Sequence, residues 1–186
     1  SAYESVNYNI ATGKFNLTWK DLTYQASERV WQRVGTISGN GKGTFTVMLG
    51  SNNIYAIDKI SNFATVNICK EEANNDPENQ IVNSGLVRKG ISSVGTLHMY
   101  PGTMISCDAG SISAKNAVIQ GSILCAKDIT ISNTVTLESA TLEAGSDAVG
   151  DGKLILGSVI VEDTKNYLEA KLSNKGKSQL SISGTV

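Results

Sequence analysis

From Leu97 to Val161 the apolar residues arrive in short pairs at a nearly regular step, and few folds accommodate that pattern. Leu97 and Met99 are followed by Ile105, Ile112, Val118, Ile123 and Cys125. Then come Ile129 and Ile131, Val135 and Leu137, Leu142, Val149, Leu154 and Leu156, and finally Val159 and Val161. Within a cluster the apolar residues stand two apart, the alternation of a strand with one buried face. Between clusters the step is about six residues, filled by Gly, Ser, Ala, Asn, Asp and Thr, as expected of strand and turn repeating in the coils of a β-solenoid. The inward set is Ile, Val and Leu, and the outward set is Ser, Thr, Glu and Lys. The fold class expected is all-β, with a short-strand β-solenoid in the C-terminal half.

The N-terminal half reads differently. Tyr3 to Ile10 and Phe15 to Trp19 alternate on either side of a turn at Ala11–Lys14, a β-hairpin pattern. Tyr24 to Ile37 leans to strand, because Val, Trp and Thr suit sheets. The glycine-rich run Gly39–Gly43 precedes the strand Thr44–Leu49 rather than a helix, so it reads as a hairpin turn and not as a phosphate cradle. Ile54–Ile57 and Ala64–Cys69 read as two more strands. An antiparallel sheet or sandwich is therefore expected over residues 1–90, as a joining or ligand-binding module. A soft boundary falls near Lys89–Ser93, and residues 91–186 form the solenoid module. Its terminal cap includes Tyr167–Leu172, as a short helix or strand, and the alternating Gln179–Ser183. A cap is expected because an open solenoid end leaves strand edges unpaired.

Composition narrows the function classes. Charged residues make up 18% of the 186 and the net charge is −1, with acids and bases well mixed. That balance lacks the basic footprint of a nucleic-acid binder and offers no polybasic membrane patch. No apolar run reaches transmembrane length and no signal peptide is present, so no membrane insertion is expected. The chain opens on Ser1, as a processed or trimmed chain does.

The candidate sites are few. Cys69, Cys107 and Cys125 are odd in number, which argues against a dense disulfide framework. Cys107 and Cys125 sit 18 residues apart in similar frames, Ile105–Ser106–Cys107 and Ile123–Leu124–Cys125. If one coil is three steps of six, they lie above one another, as stacked thiols or as a disulfide between coils. Glu71, Glu72, Asp76 and Glu78 cluster in the most polar segment and offer oxygen ligands for Ca²⁺, against the plainer reading of a solvated loop; Asp147 and Asp151 do so more weakly. Trp19, Tyr24 and Trp31 are the rings on which a sugar could stack, against the plainer reading that they fill the core. The single histidine, His98, and the scattered carboxylates single out no catalytic group, and no cofactor is implied. A Thr ladder of Thr130, Thr136 and Thr141 for ice binding is broken by Ser132, Glu138 and Glu143.

On fragments such as Gly110–Lys115, Gly121–Lys127 and Ile129–Ser132, the stretch Val94–Val161 resembles bactofilins and other small β-helical polymer-forming proteins. More loosely it resembles the hexapeptide-repeat left-handed helices. The first resemblance implies a cytoplasmic polymer-forming scaffold. The second would implicate a catalytic histidine, but His98 lies between Leu97 and Met99 and so faces outward, and acyl transfer is not carried over. The function expected is a non-enzymatic structural or adhesive one, in a surface, pilus or virion/phage fibre component located outside the cell or on a virion. Its expected partners are other copies or fibre subunits, and a glycan if the aromatic residues serve as a carbohydrate-binding module.

Overall fold

The computed structural model describes residues 5–9, 14–18, 32–49, 55–70, 82–108, 110–125, 127–145, 152–170 and 179–186. These residues form strands and connections without a helix, and hence without a helix long and apolar enough to cross a membrane. The chain opens with a hairpin, β1 (Ser5–Asn9) antiparallel to β2 (Lys14–Thr18), as the alternation predicts. Every later strand pairs in parallel.

Seven coils follow. The first is β3 (Gln32–Ser38) with β4 (Thr44–Leu49), and the second is the single long strand β5 (Tyr55–Lys70). Coil 3 joins β6 (Asn83–Val87) to β7 (Gly90–Met99), and coil 4 joins β8 (Thr103–Cys107) to β9 (Ser111–Ile119). Coil 5 joins β10 (Ser122–Cys125) to β11 (Ile129–Leu137), and coil 6 joins β12 (Thr141–Ala144) to β13 (Lys153–Val161). Coil 7 joins β14 (Tyr167–Ala170) to β15 (Gln179–Ile182). The strand order β14-β12-β10-β8-β6-β5-β7-β9-β11-β13-β15 places short strands on one arm and the long strands on the other, where the four-residue β15 ends the row, with β5 contributing to both. This is the order of a solenoid.

The antiparallel N-terminal sheet is corrected by this topology. β3 and β4 do not pair with each other across Gly39–Gly43; each lies parallel to a different half of β5. The glycine run is a coil corner rather than a hairpin turn. Alternation reports that one face of a strand is buried, and it is the same for either pairing direction, so the turn alone suggested the wrong partner. Tyr55–Ile57 and Ala64–Cys69 likewise belong to one strand, β5, and of the two forms expected for the segment from Tyr167, Tyr167–Ala170 takes the strand. The sheet crosses residue 90 without a break, since β5 is in register with β7 from Ile60↔Ile91 to Ile68↔Met99.

The core is a set of vertical columns. One runs Ile37, Ile60, Ile91, Ile112, Ile129, Leu154 and Leu180, one residue from each coil. Another runs Phe45, Val66, Leu97, Ala117, Val135 and Val159. A third, on the short strands, runs Ile105, Ile123, Leu142 and Leu168. Burying each Ile or Leu side chain contributes roughly 1.5–3 kcal/mol. At the top, the Phe45 and Phe63 rings stack with centroids 5.3 Å apart.

The corners need particular residues. Gly90 turns from β6 into β7 at φ +86°, and a Cβ there would run into the Ser111 backbone of the next coil. Asn83 is buried, and its Nδ2 donates to the Leu49 carbonyl at 2.8 Å, tying coil 3 to coil 1. Its Oδ1 is buried without a partner, a cost the Nδ2 bond offsets.

Ile112→Ala in the middle of its column is expected to destabilise the chain by about 2–5 kcal/mol in urea unfolding, and the outward-facing Val118→Thr by less than about 0.5 kcal/mol. Asn83→Ala, which leaves the Leu49 carbonyl unpaired, should cost about 1–3 kcal/mol in the same measurement.

Candidate functional site

The long strands β5, β7, β9, β11 and β13 are bent, and the bends stack beneath the corner between β3 and β4. In β9 the buried alternation Ile112, Ala114 resumes at Ala117, Ile119, so an odd step at Lys115–Asn116 swings the second half of the strand away. β11 bends at the same level with one residue more, three residues standing outward between Ile131 and Val135 where its pairing with β9 shifts register. In the first three coils the bend is made by a residue in the left-handed region: Gly41 at φ +86°, Asn62 at +63° and Ser93 at +55°. Two of these are not glycine, and Asn is the residue that best tolerates this conformation. Gly95 follows the Ser93 bend where the coils approach closely, and a Cβ there would stand 2.6 Å from the Ala64 carbonyl oxygen.

Stacked bends leave a longitudinal groove of about 620 Å³ across coils 1 to 5. Asn62, Ser93, Ser113, Lys115, Thr130 and Ser132 supply its polar lining. At its N-terminal end Asn62 Nδ2 donates to Ser38 Oγ at 3.0 Å, and the Ser61 hydroxyl lies 3.3 Å from the same oxygen. Beside the other end Asn133 Nδ2 donates to Asn116 Oδ1 at 2.9 Å, coupling the bends of coils 4 and 5. Lys115 is exposed and is the lining's one ionisable side chain. Such a lining can hydrogen-bond and attract an anion; it holds no nucleophile with a base beside it.

A second polar row lies on the outer surface of coils 3 to 5. His98 faces outward between the buried Leu97 and Met99, and its ring stacks on Tyr100 with centroids 3.9 Å apart. His98 Nε2 is 3.2 Å from Gln120 Oε1, so Nε2 is the donor, and Gln120 Nε2 donates to Glu138 Oε2 at 3.2 Å. Arg88 reaches Asp58 of coil 2 at 3.9 Å and Asp108 of coil 4 at 3.7 Å. These pairs stitch coils together at partly exposed positions, where each contributes about 0–1 kcal/mol.

Among the residues singled out in the sequence, Cys107 and Cys125 are opposite each other on β8 and β10, one coil apart. Cys107 is buried. Cys69 is half-buried, and burial pushes its thiol up, away from the reactive thiolate. Trp19, Tyr24 and Trp31 lie outside the described residues, as do Glu71, Glu72, Asp76 and Glu78, and also Asp147 and Asp151. Among the described residues no three His, Cys, Asp or Glu side chains gather as metal ligands would. The groove was missed in the sequence. Its one signal was the polar residue that recurs beside each inward pair, legible only once the coil length is known.

No protein-family model matches the chain, and neither a curated protein nor a solved structure matches it.

At the corner of coil 6, Ser139 adopts φ +48° and is held by Asp163, whose carboxylate accepts from the Ser139 hydroxyl and from its N–H at 2.9 Å. The hydroxyl bond and then the N–H bond hold the Asp163 carboxyl below its usual range. A lowered folded-state pKa stabilises at neutral pH, and that contribution is lost as the pH falls through the carboxylate range. Asp163→Asn should therefore lower the melting temperature slightly at pH 7, and the gap to the parent chain should close in melts near pH 3.

Proposed function

We propose that this chain is a non-enzymatic structural or adhesive element: a rigid β-solenoid segment of a surface, pilus or virion/phage fibre that joins to a second copy of itself through its C-terminal coil. The reading rests on one observation. The isoleucine column is sealed through Leu154, and then Leu180, at the same column position, is 53% exposed. Ile182, in register with the buried Leu156, is 37% exposed, and Val161, at the end of its own column, is 51% exposed. Among the described residues no strand pairs with the far side of β14 or β15. An apolar column cut open beside two unpaired strand edges is a surface that favours association.

A copy of the same end is the favoured occupant. Among the described residues the two ends are not alike: the outermost pairing at the N-terminal end, β1 with β2, is antiparallel, and only β3, paired with β5 alone, leaves a parallel edge there. Two C-terminal coils related by a two-fold axis bring β15 against β15 in antiparallel pairing, with Leu180 of each copy facing Ile182 of the other. β15 carries no charged residue and no proline to discourage this.

An extracellular or virion setting is part of the proposal, and it adds a second expectation. Parallel neighbours lie about 4.8 Å apart, within the Cα range of a disulfide, so Cys107 and Cys125 can bridge coils 4 and 5 in an oxidising compartment. Alkylation followed by intact-mass measurement, with and without prior reduction, reports the bridge.

Sedimentation velocity over a range of concentrations tests the assembly. The parent chain should shift from monomer to dimer, and the double variant Leu180→Lys, Ile182→Lys should remain monomeric at every concentration. A parent chain that stays monomeric throughout overturns the proposal. Growth without limit into filaments replaces it with a bactofilin-like scaffold.

A further inference from the structure

We infer that the groove across coils 1 to 5 is a binding site for a linear acidic polysaccharide, laid parallel to the solenoid axis. The inference concerns a different surface from the C-terminal edge and does not depend on self-association. The geometry is that of a repeating ligand. Each coil advances the groove by about 4.8 Å, close to the advance of one pyranose unit in an extended glycan, so successive sugars meet successive coils. Coil 2 presents Asn62, coil 3 Ser93, coil 4 Ser113 and Lys115, and coil 5 Thr130 and Ser132. Among the described residues the hydroxyls of Ser93, Ser113, Thr130 and Ser132 have no side-chain partner, so they can exchange water for sugar hydroxyls without breaking a bond within the chain.

Charge sets the class of glycan. Lys115 has no ion-pair partner among the described residues, and no carboxylate lines the groove with it. A bare cation over a row of hydroxyls matches a sugar carboxylate flanked by hydroxyls, as in a polyuronate. Other anionic polymers fit less well. A nucleic acid would look for several cations and for aromatic faces on which to stack its bases, whereas the chain's net charge is −1 and the lining's one ring, Phe63, is buried. An extended peptide gains its affinity by pairing with an open strand edge, whereas this groove runs across strands already paired between coils.

Calorimetric titration of the full chain with galacturonate oligomers tests the assignment. Affinity should climb with oligomer length to about four or five sugars, the span of the groove at one sugar per coil. Lys115→Gln should weaken pentagalacturonate binding five-fold or more, Ser132→Trp should abolish it by filling the groove, and Lys153→Gln, at an exposed site outside the groove, should leave it unchanged. Absence of binding overturns the assignment. So does equal binding of a neutral β-1,4-glucan pentamer, or of hexaglutamate, or a Lys115→Gln affinity equal to that of the parent chain. Lys115 is exposed, so its substitution tests the site without threatening the core.

Discussion

The structure depends on the in-register stacking of identical or near-identical side chains between neighbouring coils. Where Ile60 sits on Ile91, and Ile91 on Ile112, the backbone hydrogen bonds and the apolar contacts are satisfied by the same displacement. A slip of one residue would turn both the buried and the outward set over together, so the register is held at every coil. Stability is then close to a sum of nearest-neighbour terms, as in other repeat architectures. The side chains that break the columns reveal how this constraint is met locally. Ala117 follows the larger Leu97 in its column, and Phe45 and Phe63 fill the top of the stack, where coils 1 and 2 meet.

Both proposed surfaces arise from that stacking. When each long strand bends at the same point, the bends form a continuous trench, and its polar lining repeats because the coil repeats. When the columns stop, the last coil presents the same residue types that the interior hides. The groove and the C-terminal edge are thus the side and the end of one periodic object. They differ in chemistry: hydroxyls, amides and one ammonium line the groove, and aliphatic side chains form the edge.

The C-terminal half was largely legible in the sequence because its inward residues alternate cleanly with Ser and Thr, even though the coil step varies from 17 residues, Ile112 to Ile129, to 26, Leu154 to Leu180. The 18-residue step from Cys107 to Cys125 is one full turn, and the inward residues Ile112, Ile129 and Ile131 stand out against Ser and Thr. The N-terminal half misled because its coils are interrupted by longer connections. The step from Ile60 to Ile91 is 31 residues, so Ile37, Ile60 and Ile91 do not announce themselves as one column. Glycine-rich corners such as Gly39–Gly43 look like hairpin turns when the partner strand lies a coil away. The groove was hidden for a further reason: residues such as Asn62, Ser93 and Lys115 converge only through register, and nothing in their local sequence links them.

The parallel register also governs how the chain would bear load. Tension along the solenoid axis peels strands apart one coil at a time, because, among the described residues, strand pairing joins each coil to its neighbours and the Asn83 bond to Leu49 adds a single tie across two coils. A coil such as that from Cys107 to Cys125 would release 18 residues, about 60 Å of extended chain, for the loss of one coil's contacts. A shaft of this design yields in steps rather than all at once. A covalent tie between those two cysteines would withhold one of the steps.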